Sequence, residues 1–422
     1  MSDPGNAIHV TAYTATSALG HGIEPMLDAI RRERSGLRPL ADDAFGAWPL
    51  VERLPTWVGR VDGLGEPLPA AWTHWDCRNN RLAWLALNAD GFRAEIASAR
   101  ERHGPDRVGI VLGTSTSSIG TTEDAYRALD AEGRFPAGMT SPALQSLNSL
   151  TAFVREVTGL GGPAFTVSTA CSSSAKVFCS AARMLQLGMA DAVVVGGVDS
   201  LCASTLFGFH ALGLVSDEPC RPFAADRRGI NLGEAAGFAL LERGAGPRRL
   251  LGAGESSDAH HMSAPDPAGA GAEIALDAAL AAARIDAAAI EHVQLHGTGT
   301  QHNDAAESAL LARRYTAATI ASSTKGMVGH TLGAAGILGS VFCWLALDHG
   351  EVAGTVNTTE LAPDLWPHVA LRAASRPIAL TATHNFAFGG SNCVLIWAGG
   401  ETAAATSAAT SGMAPNHVEG PS

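Results

Sequence analysis

One stretch constrains the fold of this chain more than any other. In Gly162-Pro-Ala-Phe-Thr-Val-Ser-Thr-Ala-Cys171-Ser-Ser-Ser-Ala-Lys-Val-Phe178, residues 165–170 are apolar or β-branched and predict a short buried strand entered through Gly161-Gly162-Pro163. From Ser172 onward Ala175, Phe178, Cys179, Ala182, Met184 and Leu185 recur at helical spacing, and Gly188 follows as a stop. Cys171 is thereby placed on a strand-to-helix turn. A helix N-terminus presents unpaired N–H groups and the positive end of the backbone dipole, which favour a thiolate and can hold an oxyanion. A buried structural thiol is the competing reading, since free cysteine is among the most buried residue types. A cysteine nucleophile also needs a base.

The rest of the chain repeats the strand–helix alternation. Residues 107–112 and 191–197 predict buried strands on either side of the Cys171 unit, a helix is expected over 80–99 and another over 141–157, and 234–242 predicts a strand. Strand, helix, strand in this order implies a parallel sheet with helices packed on it. After Gly244-Ala-Gly-Pro247 the pattern starts again, with strands near 249–253, 292–295 and 319–322, helices over 272–283, 305–314 and 331–347, and two terminal strands near 378–383 and 393–397. The expectation is an α/β chain of two similar halves, 1–245 and 246–400. A duplicated fold is compatible with this order, without a visible sequence repeat. Residues 36–76 predict an irregular covering region, and 401–422, rich in Ala, Thr and Ser, a disordered tail.

Apolar residues make up 46% of the 422, and only 17% are charged, so there is ample material for a large core. A formal net charge of −12 argues against a general nucleic-acid surface. The seven cysteines are odd in number and lack both CxxC pairs and metal-site spacing with histidine, which points to free thiols in the cytoplasm and to no metal. The first residues carry neither a basic nor an apolar leader segment, so no secretory signal is expected. The apolar run 331–347 is short for a membrane span and predicts a buried helix.

Two further stretches carry chemistry. His296 ends a strand and enters Gly297-Thr-Gly-Thr300, where glycines let backbone approach a ligand and two hydroxyls can bond an extended substrate arm. In Ser323-Thr-Lys325-Gly-Met-Val-Gly-His330-Thr-Leu-Gly, His330 precedes a helix and follows Lys325 by five residues. Both neighbours disfavour imidazolium, and a neutral imidazole can donate from one nitrogen and accept at the other. Taken singly, each stretch also fits a glycine-rich turn.

Together, VSTACSSS, LHGTGTQHND and STKGMVGHTLGAAG, in this order, resemble the β-ketoacyl synthase family, most closely its elongating Cys-His-His type within the thiolase-like fold. Arg221-Pro-Phe, Asp226-Arg-Arg-Gly229 and His384-Asn-Phe-Ala-Phe-Gly-Gly-Ser-Asn392 match as well, and the likeness runs from about residue 8 to 398. It implies a layered αβαβα architecture and decarboxylative condensation of a malonyl thioester with an acyl group held on Cys171. In that pattern the backbone N–H groups of Cys171 and Phe388 form the oxyanion hole. His296 and His330 serve decarboxylation, and Lys325 tunes His330. Thr298 and Thr300 bind phosphopantetheine, and Phe388, Phe209 and Thr116 shape or gate the acyl pocket. The same resemblance implies an acyl carrier protein as partner, contacted at Arg78 and Arg81, no cofactor bound by the enzyme beyond the carrier's phosphopantetheine, and a homodimer or a heterodimer with a ketosynthase-like chain length factor.

Two departures stand out. Gly339 occupies the place, nine residues after His330, where the family usually has a glutamate. The segment 229–238 is closer to synthases of specialised pathways, such as those building aryl polyenes, than to housekeeping enzymes. Two alternatives remain from the residues alone: a non-catalytic chain-length-factor-like subunit, against which the presence of Cys171 argues, and a thiolase using Cys393 as a second thiol, against which the alternating strand around Cys393 argues.

Overall fold

The computed structural model describes residues 7–40, 54–136, 139 and 141–400; the expected tail at 401–422 lies outside the described residues. We number only the elements that position the site. The first half contributes β1 (Ile8–Ser17), β2 (Val108–Gly113), β3 (Ala164–Val167), β4 (Ala192–Asp199) and β5 (Ala235–Arg243). The second contributes β6 (Arg248–Ser257), β7 (His292–Gln294), β8 (Ile320–Ser322), β9 (Leu380–Ala387) and β10 (Ser391–Gly399).

These strands lie in the order β8-β7-β9-β10-β6-β1-β5-β4-β2-β3. Counted within its own half, each set runs third, second, fourth, fifth, first from the outer edge inward. The strand directions match too. β2 is parallel to β3 and β4, as β7 is to β8 and β9. β5 is antiparallel to β4 and β1, as β10 is to β9 and β6. The halves meet where β1 pairs with β6 through His9 opposite Arg249 and Val10 opposite Arg248. The chain is therefore two copies of one topology, a relation the sequence does not display.

Helices fill three layers around these strands. On the outer face of the first half lie α1 (Arg78–Leu87), α2 (Phe92–His103) and α3 (Ser149–Thr158), whose Leu82, Phe92 and Phe153 pack on Ile110, Val194 and Phe238. Between the halves run α4 (Ser173–Gln186) and, from the other half, the helix Ala335–His349. Outside the second half lie α5 (Ala270–Ala283) and α6 (Gln301–Arg314), with Leu276 and Leu310 packed on Val293 and Ile396. With the helix Ala335–His349 as α7, the stack is αβαβα. The inner layer is sealed by aromatic edges: Trp344 of α7 meets Trp397 at 5.1 Å and Phe178 of α4 at 6.0 Å between ring centroids. The stretch Leu332–His349 is apolar and long enough to cross a membrane, but 78% of it is buried inside the protein, so it is a core helix.

Three expectations change. The helix expected over 80–99 is two helices, because Asp90 and Gly91 take φ of 51° and 70° and the Asp90 carboxylate accepts Thr14 Oγ1 (2.7 Å) and the Ile23 N–H (3.1 Å). Those bonds to β1 and its following turn outcompete helix continuation. The helix expected over 141–157 begins as a separate turn at Pro142–Gln145 before α3. The strand expected over 165–170 ends at Val167 and lies at the sheet edge, with Phe165 39% exposed rather than buried. The covering region holds short elements at Leu37–Pro39, Trp57–Gly59 and Ala70–Trp75, and its residues 41–53 lie outside the described residues.

Candidate active site

The chain leaves β3 through a tight turn. Ala170 adopts φ of 51°, a conformation costly for a residue with a Cβ, and hydroxyls hold it there. Ser173 Oγ accepts the Thr169 N–H (2.9 Å) and donates to the Ala170 carbonyl (2.6 Å), while Ser172 Oγ donates to the Thr169 carbonyl (2.9 Å). The serine-rich run is thus the clamp that presents Cys171 at the start of α4. The helix start is pressed against β2: a Cβ on Gly113 would lie 2.6 Å from the Ser174 nitrogen.

Cys171 is 4% exposed. Burial raises its thiol to about 11; the Lys325 charge opposes this, the Asp199 charge adds to it, and the N–H groups of Phe388 and of Cys171 itself favour the anion. The helix-end argument for a thiolate is therefore outweighed by desolvation, and the resting group is a thiol. The two backbone donors at the sulfur come from α4's start and from the end of β9, one from each half.

His296 lies just past β7. Its backbone N–H donates to Glu307 Oε1 (2.8 Å) and that of Gly297 to Oε2 (2.7 Å), so Glu307 on α6 fixes the loop. Gly297 must lack a side chain, since a Cβ there would meet Ser323 Cβ at 2.6 Å. His330 is held by its backbone: its N–H donates to the Asn231 carbonyl (2.7 Å), and its own carbonyl accepts from Gly233 (2.9 Å). The segment 229–238 thus supports the second histidine directly. His330 Nδ1 accepts the Leu332 N–H at 3.1 Å, so the neutral ring carries its proton on Nε2. The two imidazoles stand edge to face, 5.4 Å apart at 85°. Burial, then the Lys325 charge, drives both well below the ordinary histidine value. Lys325 Nζ donates to the His296 carbonyl, and burial lowers its own pKa.

The remaining expected residues divide. The Phe209 and Phe388 rings stack at 5.5 Å beside the nucleophile's backbone donor. Thr298 and Thr300 hydroxyls bond each other at 2.8 Å, and Thr300 also caps α6 through the Asn303 N–H. Thr116 is held by Asp199, which accepts its hydroxyl (2.7 Å) and its N–H (2.8 Å). Arg78 and Arg81 pair with carboxylates of their own chain, Arg78 Nε with buried Glu234 (2.8 Å) and Arg81 Nε with Asp76 (2.8 Å). Cys393 is buried in β10 with its sulfur 3.8 Å from that of Cys179, a packing position. Gly339 lines a small cavity of about 20 Å³ with Lys325, Gln294 and Thr383.

Two buried carboxylates escaped the sequence reading, Asp199 and Glu307, and His384 entered it only within a matched stretch, without a role. Asp199 gathers Thr114, Ser115, Thr116 and, across the halves, the Gly333 N–H (2.5 Å). Asp199 is marked in sequence as a charge ending the apolar run 192–198; Glu307 carries no such mark.

Comparison with known proteins agrees with the geometry. Models described as beta-ketoacyl synthase, N-terminal domain, and beta-ketoacyl synthase, C-terminal domain, match residues 80–245 and 249–359. Nodulation protein E of Rhizobium sp. (strain N33) is 34% identical over 334 residues, covering 75% of this chain and 82% of its own. The 3-oxoacyl-[acyl-carrier-protein] synthase 2 of Vibrio cholerae serotype O1 is 34% identical over 316 residues, covering 69% and 75%. Among solved structures, the ketosynthase ApeO in complex with its chain length factor ApeC from Xenorhabdus doucetiae gives a chain with a TM-score of 0.84 at 33% identity, covering 93% of this chain and 98% of that one.

Proposed function

The chain belongs to the β-ketoacyl synthase family and is a carbon–carbon bond-forming acyltransferase; from that premise we propose how its residues divide the reaction. Cys171 attacks an acyl thioester of a carrier protein. Its proton leaves with the departing phosphopantetheine thiol, and the acyl group stays on sulfur. A malonyl thioester then enters, its C–C bond to the carboxylate breaks, and carbon dioxide departs. The enolate oxygen so formed is met by N–H donors of His296 and His330. The enolate carbon attacks the acyl carbonyl, whose oxyanion rests on the N–H groups of Cys171 and Phe388. Collapse breaks the C–S bond and releases Cys171 as a thiolate, which takes a proton from solvent to restore the resting thiol.

One observation carries the assignment: backbone N–H groups from both halves converge on the Cys171 sulfur, beside which the Lys325 charge acts. Neutral imidazoles suit decarboxylation, because an imidazolium would hold the substrate carboxylate as its anion. Thr298 and Thr300 are the hydroxyls we assign to the phosphopantetheine arm, and Phe388 with Phe209 the gate of the acyl pocket. The first half, 1–245, carries the nucleophile, and the second, 246–400, both histidines. The partner is an acyl carrier protein, with a second ketosynthase-fold chain, a copy or a chain length factor, completing the assembly; ApeO with its chain length factor supports the latter. Seven free cysteines fit a cytoplasmic site of action.

Intact-protein mass spectrometry tests this. The purified chain, alone and with a co-expressed partner, should gain the mass of an acyl group from short, long or aryl-unsaturated acyl-carrier thioesters. Cys171→Ala should gain none and lose at least about a thousandfold in condensation. Acylation that survives in Cys171→Ala would sink the assignment, and no acylation of the wild type under any condition would favour the non-catalytic subunit.

A further inference from the structure

Beneath His296 lies a polar assembly that the reaction scheme does not use. Glu307 is 1% exposed. Its Oε1 accepts the His296 N–H and His384 Nδ1 (3.0 Å), and its Oε2 accepts the Gly297 N–H and Asn303 Nδ2 (3.4 Å). His384, on β9, meets the Tyr315 hydroxyl through Nε2 at 2.9 Å. A carboxylate only accepts, so Nδ1 of His384 carries a proton. Burial, then the Glu307 charge, holds the Tyr315 phenol above its ordinary range, so it keeps its proton beside Nε2. The chain Tyr315 to His384 to Glu307 to the His296 backbone is thus continuous, with every member buried.

The assembly also faces Lys325. That ammonium donates to the His296 carbonyl, and among the charges that help it stay protonated against burial Glu307 comes first. On the α7 side there is no acid: Gly339 lines a cavity there, and Gln294 Oε1, also lining it, lacks a partner. A buried ammonium needs a fixed anion, and Glu307 comes first among those acting on it, ahead of Asp304.

We propose that His384, backed by Tyr315, is a positioning residue for the decarboxylating half of the reaction: it aims Glu307 under the His296 loop and so keeps His296 placed and Lys325 charged. The inference rests on the condensing-enzyme reading above. It names residues to which that reading gives no role.

The test measures two half-reactions on the same preparations: acyl uptake by Cys171, read by intact mass, and carbon dioxide release from malonyl-carrier thioester. His384→Leu should slow release about 10-fold to 100-fold, the scale of a lost charge-assisted bond, while acyl uptake stays within about twofold. His384→Asn, whose amide can still donate to Glu307, should recover most of the loss. Tyr315→Phe, which removes one oxygen and leaves the ring, should show the same split at a few-fold. Equal slowing of both half-reactions together with a lowered Tm would make the network a packing device and overturn the proposal. So would a His384→Asn variant no better than His384→Leu. Failure of the wild type to take up any acyl group would instead remove the condensing reading itself.

Discussion

The two halves build the same device and use it differently. After the second strand of each half, two successive backbone N–H groups turn onto a buried carboxylate: Ser115 and Thr116 onto Asp199, His296 and Gly297 onto Glu307. After the third strand of each, the chain turns into an inner-layer helix, presenting Cys171 in one half and His330 in the other. In the first half the carboxylate is surrounded by three hydroxylated side chains, Thr114, Ser115 and Thr116. In the second the same geometry displays His296, the imidazole to which we assign decarboxylation. On the proposed scheme a duplicated frame is divided into a half that stores an acyl group and a half that generates the carbanion. The helices that carry the two roles cross in contact, since the Ile337 N–H donates to Ser174 Oγ at 2.9 Å and a Cβ on Gly336 would lie 2.4 Å from the Ala175 nitrogen.

The largest expected effect tests that division. His330→Ala and Lys325→Ala each remove a second-half group and should lower carbon dioxide release and condensation by about 10²-fold to 10⁴-fold, the usual scale for a positioned acid–base or charge partner. Acyl uptake by Cys171 should survive. Equal loss of uptake in His330→Ala would mean that the histidine also serves the nucleophile, and the halves would not be separable.

The sequence shows this frame unevenly. Cys171, His296, Lys325 and His330 are legible because glycine, hydroxyl and charge patterns mark the ends of strands, where the chain must turn. The order of strands and helices along the chain is also nearly legible, since apolar runs such as 192–195 alternate with helical spacing. The common topology of the halves is not, because it lies in pairings between residues far apart, such as β1 with β6. Asp199 and Glu307 carry no legible role, and His384 only a place in a matched stretch, for a related reason. The meaning of each comes from partners contributed by other elements. Arg78 and Arg81 gain partners that no sequence pattern announces, Glu234 and Asp76, once the chain folds.

A second prediction sharpens the contrast between the two carboxylates. Asp199→Asn keeps the shape but turns one acceptor into a donor among N–H and O–H groups that have no other use for it. It should destabilise the fold by about 2–4 kcal/mol, seen as a lower denaturation midpoint in urea with an unchanged slope. Its effect on catalysis should run through folding alone, so that soluble variant retains the wild-type ratio of acyl uptake to carbon dioxide release. Glu307→Gln should destabilise comparably and also shift that ratio against release. If Asp199→Asn shifted the ratio as strongly, the first-half loop would be part of the reaction and the comparison would fail.

The smallest expected effect is a flat line, and it separates the halves without mutation. The ordinary histidine pKa is 6.5, but burial and the Lys325 charge hold His296 and His330 well below it. A lowered pKa means that the neutral form persists as pH falls through 6.5 and that protonation begins only at more acid pH. Carbon dioxide release should therefore show no histidine limb between about pH 6 and 8, where exposed histidines titrate. Cys171 behaves in the opposite sense, since burial has raised its thiol to about 11. Its alkylation by iodoacetamide should climb with pH through the ordinary thiol range and level off only near that value, because the thiolate is the reactive form. A limb near pH 6.5 in release that vanishes in His330→Gln would show the second-half imidazole exposed to solvent in the working enzyme, and the neutral-imidazole account of decarboxylation would fall with it.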